Sequence, residues 1–490
     1  VLARDGFNGL RLWSRDLLNP KATGRFVMKN VPRHIPSPVS AGEYLFAVTE
    51  GKLLALDSAT GKMIREYTAA GQPRLLLHDA GMLIVADGNS VRALDAETEV
   101  DGQVFEPGHA WVIPVKQRQF GVIQAMLESR TEFADNTFYD VSAWNLAMAY
   151  DLPLAQLKRL PATRESGPPT AGTAPVADAV AWVIPWQQLQ APSVLQQLLA
   201  AGLRVRAATR PFSMQDSNTT RAFGEGSLVI LPGIQDQGRA DQALGILQQA
   251  AGSGVNVHSF YSLLTQSGPG LGTNHFEPVP MVKPLLITGR GTRIYDAGEA
   301  WFTLDQRLGV PPVMEDMARL KSIDLRNYTH LLLVEGQYGD IGDTLKKRIA
   351  NWINDGGILI AIQRGASWAE SLCFSADGCE KKEAAKDVDK KQAAAMAYGE
   401  YRDQAAQRIC SGAIVRASVD NTHPVAFGFG NEIALFRRGT TLLKASENPF
   451  ATPLRYTDKP LLSGYIGAQL LGEINLQPAV IAERKGKGLV

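Results

Sequence analysis

Leu331-Leu332-Leu333-Val334, the segment Thr344 to Asn354, and Ile358-Leu359-Ile360-Ala361-Ile362 running into Gln363-Arg364-Gly365 form the stretch whose reading decides the fold. Leu331 to Val334 is a short apolar run of the kind that forms a strand buried on both faces. Thr344 to Asn354 places Leu345, Ile349, Trp352 and Ile353 on one helical stripe, with Asp343 as the expected N-cap and Gly356-Gly357 as the stop. A second buried-type strand, Ile358 to Ile362, follows directly. Strand, amphipathic helix, strand is the signature of a mostly parallel, doubly wound α/β sheet.

The same alternation extends outward on both sides. Pro284-Leu285-Leu286-Ile287 opens this module, which we assign to residues 281–490. An earlier module, 176–280, has strand Ala179 to Ile184, a helix from Pro192-Ser193 with Leu195, Leu198 and Leu199 on one face, and a stop at Gly202. Leu203 to Val205 begins the next strand. Strand Leu228-Val229-Ile230-Leu231, helix Asp241 to Ala251 and strand Val255-Asn256-Val257 complete it. Residues 160–175, rich in Pro, Thr, Gly and Ser, read as a linker. Residues 101–165 form a connecting α/β segment with a strand at Trp111-Val112-Ile113-Pro114 and helices at Gln119 to Glu128 and Ser142 to Tyr150. Residues 377–407, including Lys381-Lys382-Glu383 and Asp387-Val388-Asp389-Lys390-Lys391, read as a solvated helical insertion.

Residues 1–100 have a different texture. Ala55-Leu56-Asp57-Ser58-Ala59-Thr60-Gly61 recurs 38 residues later as Ala93-Leu94-Asp95-Ala96-Glu97-Thr98-Glu99, with a weaker earlier copy at Ala3 to Gly9 followed by Trp13. Strand runs such as Tyr44 to Val48 and Met82 to Val85 precede the copies, and turn residues separate them. Four short strands per unit of about forty residues suit a β-propeller blade. Two or three blades leave open sheet edges, and with a first residue Val1 and a final Gly486-Lys487-Gly488-Leu489-Val490 that reads as a turn entering a strand, we expect a piece cut from a longer chain.

Composition limits the function classes. Apolar content of 45% and charged content of 20% describe a folded chain, and 490 residues imply several domains. A net charge of +1 gives no footprint for a nucleic acid, and no apolar run reaches bilayer length. The cysteines, Cys373, Cys379 and Cys410, are too few for a disulfide scaffold and lack zinc-site spacing. One bridge with a leftover thiol and three free thiols both stay open.

Catalytic patterns are sparse. None of His34, His78, His109, His258, His275, His330 or His423 has a Glu three positions on, the pairing a zinc peptidase needs to leave a coordination position for water. His275-Phe276-Glu277 has the wrong spacing. Gly268-Pro269-Gly270-Leu271-Gly272 reads as a loop rather than a phosphate cradle, because it does not link a strand to a helix. Glu128, Glu132, Asp135 and Asp140 gather around Phe133, Phe138, Tyr139 and Trp144, a set open to acid–base or merely capping roles. No metal and no cofactor is expected.

Three resemblances add to this reading. The A-L-D-x-x-T-G pattern resembles quinoprotein-like propellers; Glu99 replaces its glycine in the last copy. Residues 281–490 resemble a class I glutamine amidotransferase-like domain, in which a nucleophilic cysteine occupies a sharp turn after a buried strand. That motif, G-[IV]-C-x-G, falls here on Ala361-Ile362-Gln363-Arg364-Gly365, so the resemblance puts Gln363 where the thiol would stand. Residues 101–490 resemble the region downstream of the peptidase domain in bacterial zinc carboxypeptidase (carboxypeptidase A-like) proteins. The matching stretches are Val112 to Gln119, Phe133 to Trp144, Asp296 to Trp301, Tyr328 to Leu331 and Thr422 to Gly428. This resemblance implies a periplasmic or extracellular setting and a nucleophile-less amidotransferase-like domain; propeller blades stand where the zinc domain would be.

Three functions are compatible with this sequence. The first is a non-catalytic accessory region that positions substrate or supports structure in proteolysis, with a peptide or protein as partner and a crevice at Glu335, Gln363 and Arg364 beyond the strand ends. The second is a zinc carboxypeptidase whose catalytic domain lies outside these residues. The third is a propeller-based protein-binding scaffold.

Overall fold

A computed structural model of the chain describes residues 171–216, 219–372 and 397–490 continuously, and ahead of them 110–133, 141–143, 145–150 and 152–159 with a set of short strands. The chain divides into two compact units, Val1–Glu128 with Leu152–Pro168, and Ser129–Asp151 with Pro169–Val490.

In the first unit the strands are short and antiparallel. Val39–Ala41, Tyr44–Thr49, Lys52–Asp57 and Met63–Thr68 pair in chain order as one four-stranded sheet. The two clearer copies of the repeat do not occupy matching sheets. Ala55 to Asp57 ends the third strand of that meander, whereas Ala93 and Leu94 belong to Arg92–Leu94, which pairs with Trp111–Val112 and Thr163–Glu165. The turn residues 58–61 and 95–97 lie outside the described residues, as do residues 5–9 of the weaker copy, whose Ala3 pairs with Trp13 across the antiparallel strands Leu2–Arg4 and Arg11–Ser14. Helix Phe120–Leu127 buries none of its side chains.

The second unit holds three sheets. The first is built from β1 (Ala181–Ile184), α1 (Ala191–Ala200), β2 (Arg206–Ala208), the hairpin β3 (Phe212–Asp216) and β4 (Thr219–Phe223), β5 (Leu228–Ile230), α2 (Arg239–Gly252), β6 (His258–Phe260) and β7 (Phe276–Pro278). Its strand order is β6-β1-β5-β2-β7. Every pairing in it is antiparallel, which corrects the expectation of a mostly parallel sheet over 176–280. The reason is the hairpin. After β2 the chain leaves the sheet as β3 and β4, then returns as β5 running between β1 and β2 in the opposite sense. A buried apolar run reads the same in either direction, so its sequence does not encode its polarity. Both helices pack on one face, around Trp182, Ile184, Leu198 and Leu247. The hairpin closes the other with Phe212, Met214 and Phe223 against Val183, Val229 and Phe260.

The second sheet comprises β8 (Pro284–Thr288), α3 (Ile294–Trp301), β9 (Val313–Asp316), β10 (His330–Leu333), α4 (Asp343–Asn354), β11 (Ile358–Ala361) and α5 (Arg364–Ala369). Its order is β9-β8-β10-β11, and all these pairings are parallel. α4 and α5 cover one face through Ile349, Trp352, Ile353, Trp368 and Ala369. α3 covers the other through Ala297 and Trp301 against Leu286, Leu332 and Val334. Asp343 is the first residue of α4 rather than its cap; Gly342 holds the cap position without a side-chain hydrogen bond, so the carboxylate acts on the helix dipole instead.

The third sheet, β12 (Gly412–Val419), β13 (Glu432–Arg437), β14 (Leu454–Tyr465) and β15 (Pro478–Val480), is antiparallel in the order β13-β12-β14-β15. α6 (Ala468–Ile474) seals it with Leu470 and Ile474 against Val415 and Tyr456. Residues 281–490 are thus not one continuous doubly wound module. β12 buries residues 412–415 in succession and alternates exposed with covered residues only over 416–419, so no strand period marks the sheet along its length. The final hairpin, β16 (Arg484–Lys485) and β17 (Gly488–Leu489), brings β17 alongside β11 in parallel, so the strand entered after Gly486 is present. Ser142 ties the 141–150 segment to the third sheet: its hydroxyl donates to the Gly412 carbonyl at 2.6 Å and accepts from the Tyr465 N–H at 2.8 Å. Among the described residues no helix is long and apolar enough to cross a membrane.

Candidate functional site

The site is built at the carboxyl ends of β8, β10 and β11. β11 ends at Ala361, Ile362 donates its N–H to the Leu333 carbonyl at 2.9 Å, and Gln363 then turns the chain with φ 53° and ψ −119°. Among the described residues only Gln363 and Leu476 are non-glycine positions with positive φ. Such a conformation costs on the order of 1–3 kcal/mol and persists only where the surroundings enforce it. Here the enforcement comes from α5. Trp368 and Ala369 anchor the helix in the core, and Gly365 lies so close to β10 that an added Cβ would sit 2.6 Å from the Leu333 carbonyl oxygen and 3.0 Å from that of Val334.

Glu335 follows β10 and is 7% exposed. Its carbonyl accepts the Arg293 N–H at 2.8 Å. Its carboxylate accepts twice from one residue: Oε2 from the backbone N–H of Arg364 at 2.9 Å, and Oε1 from the Arg364 Nε–H. The Arg364 side chain is 54% exposed, so its outer nitrogens face solvent. Tyr338 lies beneath, donating to the Val334 carbonyl at 2.7 Å. Burial first, then the negative charge of Glu335, pushes its phenol well above the ordinary range, so it stays protonated.

A second carboxylate joins from α3. Asp296, 8% exposed in the first helical turn, receives Arg438 Nη2 at 3.0 Å on both oxygens and Arg293 Nε at 3.3 Å. Arg438 and Gly439 follow β13, so the antiparallel third sheet supplies this arginine to the parallel one. A Cβ on Gly439 would stand 3.4 Å from the Gln363 amide oxygen, which places that amide beside the same segment.

The structure therefore brings the sequence-nominated Glu335, Gln363 and Arg364 together. It adds Arg293, Arg438 and Tyr338, which no motif flagged, and Asp296, which opens the matching stretch Asp296 to Trp301 without having been named for this site. Asp296 reads as a helix-start acid, and Arg438 reaches the site from a sheet the sequence did not reveal.

Chemically the elbow lacks both parts of an acyl-transfer site. An amide is not a nucleophile. The N–H after the elbow, the position that donates to an oxyanion in such turns, is already engaged by the Glu335 carboxylate. No histidine serves the site among the described residues. His330 starts β10 at the opposite end of the sheet, with Nδ1 2.9 Å from Thr329 Oγ1, and His423 Nδ1 accepts from the Val425 N–H at 3.2 Å in a cap. Nor do the described residues contain a group of three or more His, Cys, Asp or Glu able to hold a metal ion.

The remaining nominations separate. Cys410 is a buried free thiol donating to the Arg437 carbonyl at 3.3 Å, while Cys373 and Cys379 lie outside the described residues. So do most of the 377–407 insertion and, from the acidic–aromatic set, Asp135, Asp140, Phe138, Tyr139 and Trp144. The run 268–272 is a loop between β6 and β7 that buries Leu271 in the core. No family model, no curated protein and no solved structure matches this chain.

Proposed function

We propose that the second unit is a non-catalytic binding module that positions substrate for proteolysis, an accessory region of a carboxypeptidase-like protein. The observation that carries the reading is the occupied elbow. Gln363 adopts the strained geometry of a nucleophile-bearing turn while presenting an amide, and Glu335 fills the neighbouring N–H that would otherwise stabilise an oxyanion. Retaining backbone strain without the chemistry it normally serves favours recognition at that turn over turnover. The proteolytic context rests on the sequence stretches Asp296 to Trp301, Tyr328 to Leu331 and Thr422 to Gly428, the first of which supplies Asp296 to this site. A peptide or protein is the corresponding partner.

The test is metal content of the dialysed protein by mass spectrometry, together with peptide hydrolysis and glutaminase assays with and without chelator. Metal-free protein inactive in both assays, yet binding peptide, supports the proposal. Stoichiometric zinc with chelator-sensitive hydrolysis would overturn it in favour of a peptidase, and thiol-independent glutamine hydrolysis would overturn it in favour of an amidotransferase.

A further inference from the structure

We infer that Arg293, Arg364 and Arg438 form a receptor for a carboxylate anion at the mouth of the elbow. This rests on the preceding reading that the turn binds rather than cleaves. The three arginines arrive from different elements, the loop after β8, the start of α5 and the end of β13, yet are linked through two buried carboxylates. Asp296 bridges Arg293 and Arg438. Glu335 holds Arg364 through its carboxylate and the Arg293 backbone through its carbonyl. Gln363 adds an amide beside the Arg438–Gly439 segment.

Within this ion-paired set three guanidiniums face two carboxylates, in a chain whose overall charge is close to balance, and Asp316 lies against Gly289 at the start of the loop that carries Arg293. Arg290, in the same loop as Arg293, is exposed. The resident carboxylates also consume few donors. Arg364 uses its Nε, Arg293 its Nε, and Arg438 its Nη2. The outer nitrogens of the half-exposed Arg293 and Arg364 have no partner among the described residues, whereas the Arg438 Nε is buried without one and lies out of a ligand's reach, so Arg438 contributes charge rather than a contact. A guanidinium carries more N–H donors than one carboxylate can use, arranged as a planar fork that suits the two oxygens of another. Glu335 and Asp296 thus fix the arginine stems from below, and the free edges of two guanidiniums point to solvent. An added carboxylate completes that pattern of charge. The chemistry fits a free small acid and the terminal carboxylate of a peptide alike, and the experiment separates these sources.

The full chain is titrated calorimetrically with a tetrapeptide bearing a free C-terminal carboxylate, with its C-terminal amide, with succinate and with inorganic phosphate. We expect binding of the free-acid peptide or succinate, and amidation to weaken the peptide by about tenfold or more, the loss of one charge-assisted contact. Arg364→Gln and Arg293→Gln should each weaken the carboxylate by a similar factor, with Arg204→Gln, a distant exposed arginine, unchanged. The double variant Glu335→Gln/Arg364→Gln leaves no unpaired buried charge and should lose affinity equally, which separates lost recognition from lost folding. Succinate binding without peptide binding identifies a small acid as ligand. Equal affinity for acid and amide peptides overturns the carboxylate inference while the binding-module reading survives. Phosphate binding tighter than every carboxylate also overturns it. Binding of no ligand sinks both.

Discussion

The Glu335 carboxylate accepts two hydrogen bonds from Arg364, one from its backbone N–H at 2.9 Å and one from its Nε–H. One acid thereby caps the first turn of α5 and locks the side chain that follows the elbow. The turn is held in its strained form from the β10 side, by a residue that sequence order places twenty-nine positions earlier.

Replacing Glu335 with Ala should destabilise the second unit by about 2 kcal/mol, because a backbone donor and a guanidinium lose a nearly buried acceptor. Glu335→Gln, which keeps one acceptor oxygen, should lose about half as much. Urea unfolding of the three proteins measures this, and an unchanged midpoint for Glu335→Ala would show the pair to be incidental.

Gln363 is strained at φ 53°, so Gln363→Gly should stabilise the chain by about 1 kcal/mol by relieving that cost. Gln363→Val, β-branched, should destabilise by at least as much. A glycine variant that melts earlier than the parent would mean that the amide's contacts outweigh the strain.

Gly365→Ala should be among the more damaging small substitutions, by about 2–3 kcal/mol, because the new methyl meets backbone oxygens of Leu333 and Val334 that cannot swing away. Gly245→Ala, at a helical position with no atom within 4 Å of the added carbon, is the control and should be neutral or stabilising. Paired thermal melts decide it.

His258 and His330 both have imidazoles held below their ordinary value, in each case first by burial; at His258 the positive charge of Arg221 adds to the effect and Asp216 opposes it. The folded state therefore binds fewer protons than the unfolded one. Stability contributed this way is present above the unfolded value of 6.5 and is lost as pH falls from there through the lower folded values. Urea midpoints measured from pH 7.5 to 5 should decline, and His258→Phe with His330→Gln should flatten the curve. A double variant with the parent's slope would assign the decline to other groups.

Cys410 is buried and its thiol is raised above its ordinary value, by desolvation first, with Arg437 working in the other direction. The thiolate is the reactive form. Thiol titration at pH 8 should leave Cys410 unmodified in native protein and label it in urea. Rapid labelling of Cys410, mapped by peptide mass, would mean that this part of the third sheet opens readily.

Local patterning encodes the strands and helices around the elbow and the identity of its central residue. Leu331 to Val334, the stripe Leu345-Ile349-Trp352-Ile353 and the run 358–362 carry local periods and stop signals, which act within a few residues. They also nominated Glu335, Gln363 and Arg364, because a residue just past a parallel strand must lie at the sheet's edge. Strand direction in 176–280 was not legible, since an apolar run has no polarity until the β3–β4 hairpin reverses the chain. The sheet of β12 to β15 was missed for a related reason: its strand pairs join residues far apart in the chain and leave no local period that fixes their partners. Only the tertiary structure could decide that Asp296 and Arg438, separated by well over a hundred residues, share one ion pair beside Gln363. Charge pairing across sheets depends on where whole elements pack, and no periodicity along the chain records it.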